Sequence, residues 1–461
     1  MISFTLKGFI DMLLVGRLGI EELGAVGLAS VMAWNIIAFP MGMLRGQRPL
    51  VSQYMGAGDR LSAFSYGAHA FYLAAVWGAI CFLISGPAAA WVIEIAASDQ
   101  MSLASRGYAR DYLETRIAWA GTTLLAIAVA EYLRSTSRPR IGMAADLLAH
   151  PTNIVLSWVL IFGLFGMPEL GVRGAAVGTG LSDLLALAVM LYLVRPRKPM
   201  PREALVYRWR RMKRVLSTGI TAGVQFSIES GAFAIITIMI GSLGTTALAV
   251  HQAAIQLVHL SIMPAIAVGD GGSTLVGRYM GEKKFEYVER ALRSTVKITS
   301  VFMAIMAVVY LLFGRELTSI FFQVGDPDYE AALTLGAKVM IAAAIWQLAD
   351  SYQVSYRFCL RAAGDHHFVM YTCILCSWVL SVPLAWAVVK VFDGDLADVW
   401  MAWNLEIFLG AALFWWRWRS GAWRNKRMVE DEPLAGKAVA LDPIGIEPIA
   451  IEPIIDETDP R

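Results

Sequence analysis

Three carboxylates stand where a carboxylate is costly. Glu229 lies in VQFSIESGAFAIITIMIG, Asp350 in AAAIWQLADSYQVSY and Asp11 in LKGFIDMLLVG. An ionisable residue inside such an apolar stretch costs about 2.5–3.5 kcal/mol on insertion scales, so it needs a reason to be there. Low dielectric penalises the ionised form. A carboxylate in these surroundings can therefore take up and release a proton near neutral pH, or hold a cation such as Na⁺. The competing reading is structural: the acid caps a kinked backbone or pairs with a base brought in from another segment. Glu229 has no basic residue for more than two turns on either side, and Asp350 is similarly isolated along its own segment. Both are read as ion sites. For Asp11 the two readings stay balanced, because Lys7 sits four residues earlier and an i, i+4 pair would neutralise it. Asp183, in GLSDLLALAVM, is a fourth acid and is read as locally paired.

Other reactive residue types give weaker signals. Cys81, Cys359, Cys373 and Cys376 all lie in apolar stretches. Cys373 and Cys376 form a CxxC, but zinc needs two further ligands. His366 and His367, close by on one helix end, make a poor second pair, so no metal site is assigned. His251 opens an apolar segment and is read as a packing residue. Trp34, Trp346, Trp378, Trp386 and Trp403 fall within apolar segments, where an aromatic face turned to a cavity would attract an organic cation. Pro40 and Pro264 each remove a backbone hydrogen bond and invite a kink. No clustered set of His with Asp or Cys suggests catalysis.

These residues must be positioned by helices in a bilayer. The chain has 461 residues, 57% hydrophobic and 16% charged, with mean hydropathy +0.56. Soluble domains carry about 25% charged residues. Each crossing takes about 20 apolar residues. Twelve spans are expected, at 1–18, 22–54, 64–96, 108–133, 141–165, 171–194, 212–241, 245–279, 291–322, 332–361, 367–391 and 396–418. No cleaved secretory signal is expected, since the first apolar stretch contains Asp11.

Loop charge gives an orientation. The 195–214 stretch, RPRKPMPREALVYRWRRMKR, holds nine basic residues against Glu203. The loops at 134–140 and 278–293 and the exit RWRSGAWRNKR are also basic, whereas GSLGTT, QVGDPDYE and DGDLAD carry no Lys or Arg. The positive-inside rule places both termini in the cytoplasm, across an inner (plasma) membrane.

The chain also repeats. A shift of 225 residues aligns GRLG at 16–19 with GSLG at 241–244 and Tyr54-Met55-Gly56 with Tyr279-Met280-Gly281. A shift of 227 pairs Trp119 with Trp346 and Leu133-Arg134 with Leu360-Arg361. An even number of spans separates the copies, so the fold class expected is all-α: a polytopic membrane protein of about twelve helices in two parallel six-helix lobes. The domains expected are an N-terminal lobe at 1–194, a basic cytoplasmic linker at 195–211, a C-terminal lobe at 212–420 and a disordered cytoplasmic tail at 421–461, acidic and proline-bearing from about 428. Substrate sites in such folds lie at or near the interface between halves.

FIDMLLVGRLGIEELGAVGLA and PMGMLRGQRPLVSQYMGAGD resemble helices 1 and 2 of the multidrug and toxic compound extrusion family. QFSIESGAFA, IGSLGTTALAVHQAA and QLADSYQVSYRFCLRAAGDHH resemble its helices 7, 8 and 10. The likeness runs to about residue 420. It implies an ion-coupled antiporter, with Glu229 and Asp350 on the acidic positions of the NorM-type branch, serving the coupling cation, H⁺ or Na⁺. It implies a second cation or proton site at Asp11, with Asn153 nearby. Ser157 departs from the family, which often has Asp or Asn there. Family members also carry more residues ahead of the helix 1 aspartate, which leaves the first span short here. A monomer is expected, exporting a small organic cation, with no other cofactor and no nucleic-acid partner. Two alternatives remain: a lipid-linked precursor flippase of the same superfamily, which would want a cationic cavity for phosphate, and a membrane-embedded enzyme.

Overall fold

The structure is a computed structural model that describes residues 11–96, 101–194, 202–322 and 328–429. Lys7, most of the first expected span, residues 195–201 of the linker and the acidic tail from 430 lie outside them. The helices are α1 (11–16), α2 (Ile20–Arg45), α3 (Gln47–Gly56), α4 (Arg60–Ala96), α5 (Leu103–Ala118), α6 (Ala120–Ser135), α7 (Pro139–Phe162) and α8 (Val172–Val194). There follow α9 (Arg202–Leu205), α10 (Trp209–Gly241), α11 (Thr245–Gly281), α12 (Phe285–Ser319), α13 (Tyr329–Ala363), α14 (His366–Ile374), α15 (Val382–Lys390) and α16 (Leu396–Arg419). Among the described residues ten helical spans are long and apolar enough to cross a membrane, or eleven with α5 and α6 taken as one bent span. Large apolar side chains such as Leu83, Ile238 and Leu312 stay exposed, as they would against lipid.

The helices gather into two groups. In the first, α4 packs on α5 and α6, α2 on α5, and α7 on α8. In the second, α11, α12 and α13 pack together and α13 packs on α16. Each group has its own apolar core, around Leu113, Ile117 and Leu124 in one and around Tyr310, Met340 and Trp400 in the other. The repeat is visible in the element boundaries: α2 and α11 both start directly after the GxLG turn, and α3 and α11 end on the paired Gly56 and Gly281. It breaks at the 227-residue pair. The span carrying Trp119 bends by 42° there, while α13 runs straight through Trp346.

α2 continues through Pro40 and α11 through Pro264. A break between α2 and α3 falls at Gly46. Pro49, three residues on, lacks the N–H that would bond the Arg45 carbonyl. A π-helix at Leu375–Ser381 precedes Pro383 for the same kind of reason. Ordered structure also runs past the expected boundary at 420. Ala422–Lys426 is a 3-10 turn, and Trp423 is fully buried because its ring stacks on Trp418 at 4.5 Å between centroids.

The groups meet along α2–α10 and α3–α11. A Cβ on Gly46 would collide with the Gly219 and Thr218 backbone, and one on Gly56 with the Arg278 carbonyl. Small residues let backbones touch, as is usual between helices in lipid. Ser230 Oγ donates to Asn35 Oδ1 at 3.2 Å and Gln53 Nε2 to the Ala362 carbonyl at 2.8 Å. These contacts run from mid-span toward the basic-loop ends of the helices.

Candidate functional site

A cavity of about 210 Å³ opens among α10, α11, α13, α14, the π-helix and α16. One water needs only roughly 10–15 Å³. The lining is apolar for the most part, with Phe233, Trp346, Trp403 and Phe414 in it, and it carries four charged side chains: Glu229, Asp350, Arg357 and Glu406. All lining residues come from the second half. The cavity is therefore inside one group of helices, not at the interface between halves that the repeat suggested.

Glu229 is not isolated, which corrects the sequence reading. Arg357 of α13 donates to Glu229 Oε1 at 3.0 Å, and Gln225 Nε2 donates to the same oxygen at 3.0 Å. Gln225 also reaches Cys373 Sγ at 3.1 Å and accepts from Arg361. Gln225 and Glu229 stand four apart on α10, so one helical face presents both. Asp350 differs. It is 4% exposed, and its Oδ2 has no hydrogen-bond partner among the described residues. A buried polar atom without a hydrogen-bond partner costs free energy.

Glu406 is a third acid that sequence reading missed. Trp403 Nε1 donates to Oε2 at 2.8 Å, Ser381 to Oε2, and Ser377 to Oε1 at 3.4 Å. Both serines belong to the π-helix, whose wider turn closes with the Val382 N–H on the Ser377 carbonyl. π-Bulges are frequent at functional sites. Of the tryptophans singled out, Trp346 and Trp403 line the cavity. Trp378 donates to the Ile228 carbonyl, Trp34 packs edge-on against Phe226 across the seam, and Trp386 is exposed. His251 is buried, accepting from Trp400 at 3.1 Å and facing Thr237.

The first half holds the other expected residues. Thr179 Oγ1 of α8 donates to Asp11 Oδ2 at 3.2 Å. Asn153 Nδ2 donates to Thr179 Oγ1 and to Ser157 Oγ, both at 3.3 Å. Asn153 is fully buried, and its Oδ1 has no partner among the described residues. The departure at Ser157 thus lies inside the cluster. A Cβ on Gly178 would meet Ser157, so α7 and α8 approach closely enough to bring these hydroxyls together. Asp183 stands one turn on from Thr179 along α8. Thr123 donates to Asp183 at 2.5 Å, and Arg116 donates to Thr123 at 3.3 Å.

A further ionic group bridges the halves. Arg48 of α3 pairs with Glu131 of α6 and with Asp270 of α11. Arg134 adds a bond to Glu131 at 2.8 Å, and Glu131 is 1% exposed. No local pattern announces this group, because its members lie 83 and 222 residues apart. Past α16, the Met428 N–H donates to Gln53 Oε1 at 2.6 Å and the Met428 carbonyl accepts from Arg214, so the chain straps both halves at the basic end.

A lipid-facing helical bundle with acids in a cavity has the build of a membrane transporter. Residues 1–159 and 222–387 match the MatE family. The chain belongs to that family of multi-pass transporters, which use ion gradients. It is 26% identical over 434 residues to a probable multidrug resistance protein NorM of Rhizobium meliloti, covering 92% of this chain and 90% of that one. It is 28% identical to a protein of the same name from Bradyrhizobium diazoefficiens, over 89% of this chain and 88% of that one. Its fold matches a multidrug resistance MATE family transporter in an outward-facing conformation, with TM-score 0.79, 21% identity and coverage of 92% and 93%. It matches a MOP superfamily transporter from Pyrococcus furiosus, described as having a binding pocket of reverse polarity, with TM-score 0.81, 21% identity and the same coverage.

Proposed function

We propose that the chain is a secondary antiporter that exports organic cations in exchange for H⁺ or Na⁺, with Asp350 and Glu229 as the coupling acids. The observation that carries this reading is Asp350, buried in a cavity with an unpartnered carboxylate oxygen. A proton or cation there gives that oxygen a partner and removes the penalty of a buried charge in low dielectric. Arg357 holds one Glu229 oxygen and competes with an incoming cation for it. The aromatic faces of Trp346, Trp403 and Phe233 around the acids suit an organic cation. Asp11, with Thr179 and the free Asn153 oxygen, is an accessory cation site; Asp183 is structural.

The lobes are taken as 1–194 and 212–420, with the basic ends and both termini in the cytoplasm. Contacts across the seam then lie on the cytoplasmic side, which makes this the outward-facing state. Cation binding neutralises the acids, substrate leaves outward, and the lobes rock so that the cation is released inside and new substrate enters. Each ligand shifts that equilibrium only through its different affinity for the two states.

The test is uptake of a fluorescent organic cation into everted vesicles under separately imposed H⁺ and Na⁺ gradients. Native chain is compared with Asp350→Asn and Glu229→Gln at matched expression. Gradient-driven uptake lost in either variant supports the reading and names the ion. Equal uptake in all three would make both acids structural. Absence of cation uptake by the native chain, with movement of a lipid-linked precursor, would put the flippase in its place.

A further inference from the structure

The side chains that line the cavity include three carboxylates and one arginine. Its charged lining is Glu229, Asp350, Arg357 and Glu406. Arg357 is spent on Glu229, to which it donates at 3.0 Å. Two carboxylates, Asp350 and Glu406, make no ion pair among the described residues, and they differ in kind. Asp350 is buried, and its Oδ2 has no hydrogen-bond partner among the described residues. Glu406 is held in place by three neutral donors, the Trp403 indole and the Ser381 and Ser377 hydroxyls. Neutral donors orient a carboxylate without cancelling its charge. The π-helix that presents both serines departs from regular geometry at just this place. A site with two uncompensated charges cannot be enclosed in low dielectric until two positive charges enter it.

The repeat gives a second view of the same point. Asp350 on α13 corresponds to Thr123 on α6 under the 227-residue shift. In the first half the partner of Thr123 is Asp183 on α8, so one neutral and one acidic side chain face each other. In the second half the matching helices, α13 and α16, supply two acids.

We infer that Glu406, positioned by Trp403, Ser377 and Ser381, is a further cation-binding carboxylate of this cavity beside Asp350 and the Arg357-paired Glu229, so that each transport cycle exchanges two coupling cations. The inference rests on the antiporter reading and goes beyond it by naming a residue and a stoichiometry. Exchange of two H⁺ or Na⁺ for one monovalent substrate moves one net charge per cycle. Exchange for a divalent organic cation moves none.

The experiment uses the purified full chain in proteoliposomes, with ethidium as a monovalent probe and a tenfold gradient of whichever ion drives uptake. At zero membrane potential a two-for-one exchanger accumulates ethidium about hundredfold at equilibrium, and a one-for-one exchanger about tenfold. An added potential of about 59 mV changes the first value tenfold and leaves the second alone. The native chain is expected to behave as the first. Glu406→Gln is expected to behave as the second, and Glu406→Asp to keep the native ratio, which shows that the charge and not the fold is at issue. Tenfold, potential-independent accumulation by the native chain and by Glu406→Gln alike overturns the inference and leaves the antiporter standing. Loss of the ratio in Glu406→Asp as well as Glu406→Gln overturns it too, since the side chain would then act through packing. No gradient-driven ethidium accumulation by the native chain overturns the antiporter reading and this inference with it.

Discussion

The two halves of this chain share a plan and differ in charge. In the first half, the buried polar cluster around Asn153 consists of Thr179, Ser157 and a single acid, Asp11. In the second half, the cavity gathers three acids and one arginine. The first is tied by hydrogen bonds between small neutral groups; the second is left with charge to be compensated. The lesson is that one scaffold, used twice, divides its labour by what it puts on equivalent helices. α6 carries Thr123 where α13 carries Asp350.

The comparison breaks first at Asp350. Asp350→Asn is expected to abolish gradient-driven uptake, whereas Thr123→Val at the matching position leaves uptake and its ion dependence in place; vesicle assays of both variants decide this. Next in size is the ionic bridge between halves. Removing one partner of a buried ion pair costs about 3–5 kcal/mol, so Arg48→Ala should lower the thermal unfolding midpoint in detergent far more than any change in the first-half cluster. Third, Glu229 and Arg357 should show a coupling of about 0.5–3 kcal/mol in a double-mutant cycle with Glu229→Gln and Arg357→Gln, read from thermal stability. An additive cycle would mean the pair does not restrain Glu229. The smallest effect belongs to the first half. Ser157→Ala loses one neutral hydrogen bond, worth about 0.5–1.5 kcal/mol, and should not change which ion drives uptake. A switch of ion specificity in that variant would move the coupling site to the first half.

Much of the fold was legible because a bilayer imposes length and composition on each span, and because the halves share the GxLG turns and the YMG ends. Glu229 and Asp350 were legible for a related reason: an acid in an apolar run stands out. Glu406, in WNLEIFLGAALF, gives the same signal and was passed over, although no base lies within two turns before it. Arg357 was hidden differently. In QVSYRFCLR it reads as the basic end of a helix, and only the packing of α13 on the cavity turns it toward Glu229. The Arg48–Glu131–Asp270 bridge joins three helices from both halves, and nothing local encodes it. The π-helix was likewise invisible, since Pro383 alone signals a lost bond but not how the backbone absorbs it.

The Gly56 and Gly281 contacts have a history in them. A Cβ on Gly56 would strike the Arg278 carbonyl, and one on Gly281 would strike the Gln53 carbonyl. Moving the first pair by 225 residues gives the second (56 to 281, 53 to 278), and Ser52 meets its own counterpart, Gly277. The contact is its own image. A six-helix polypeptide would already hold both sides of it, and two copies lying the same way in a bilayer would join through it, as identical subunits join about a two-fold axis. The surface where the halves touch is matched residue for residue, whereas the interiors differ, with Asp11 in one and Glu229, Asp350 and Glu406 in the other.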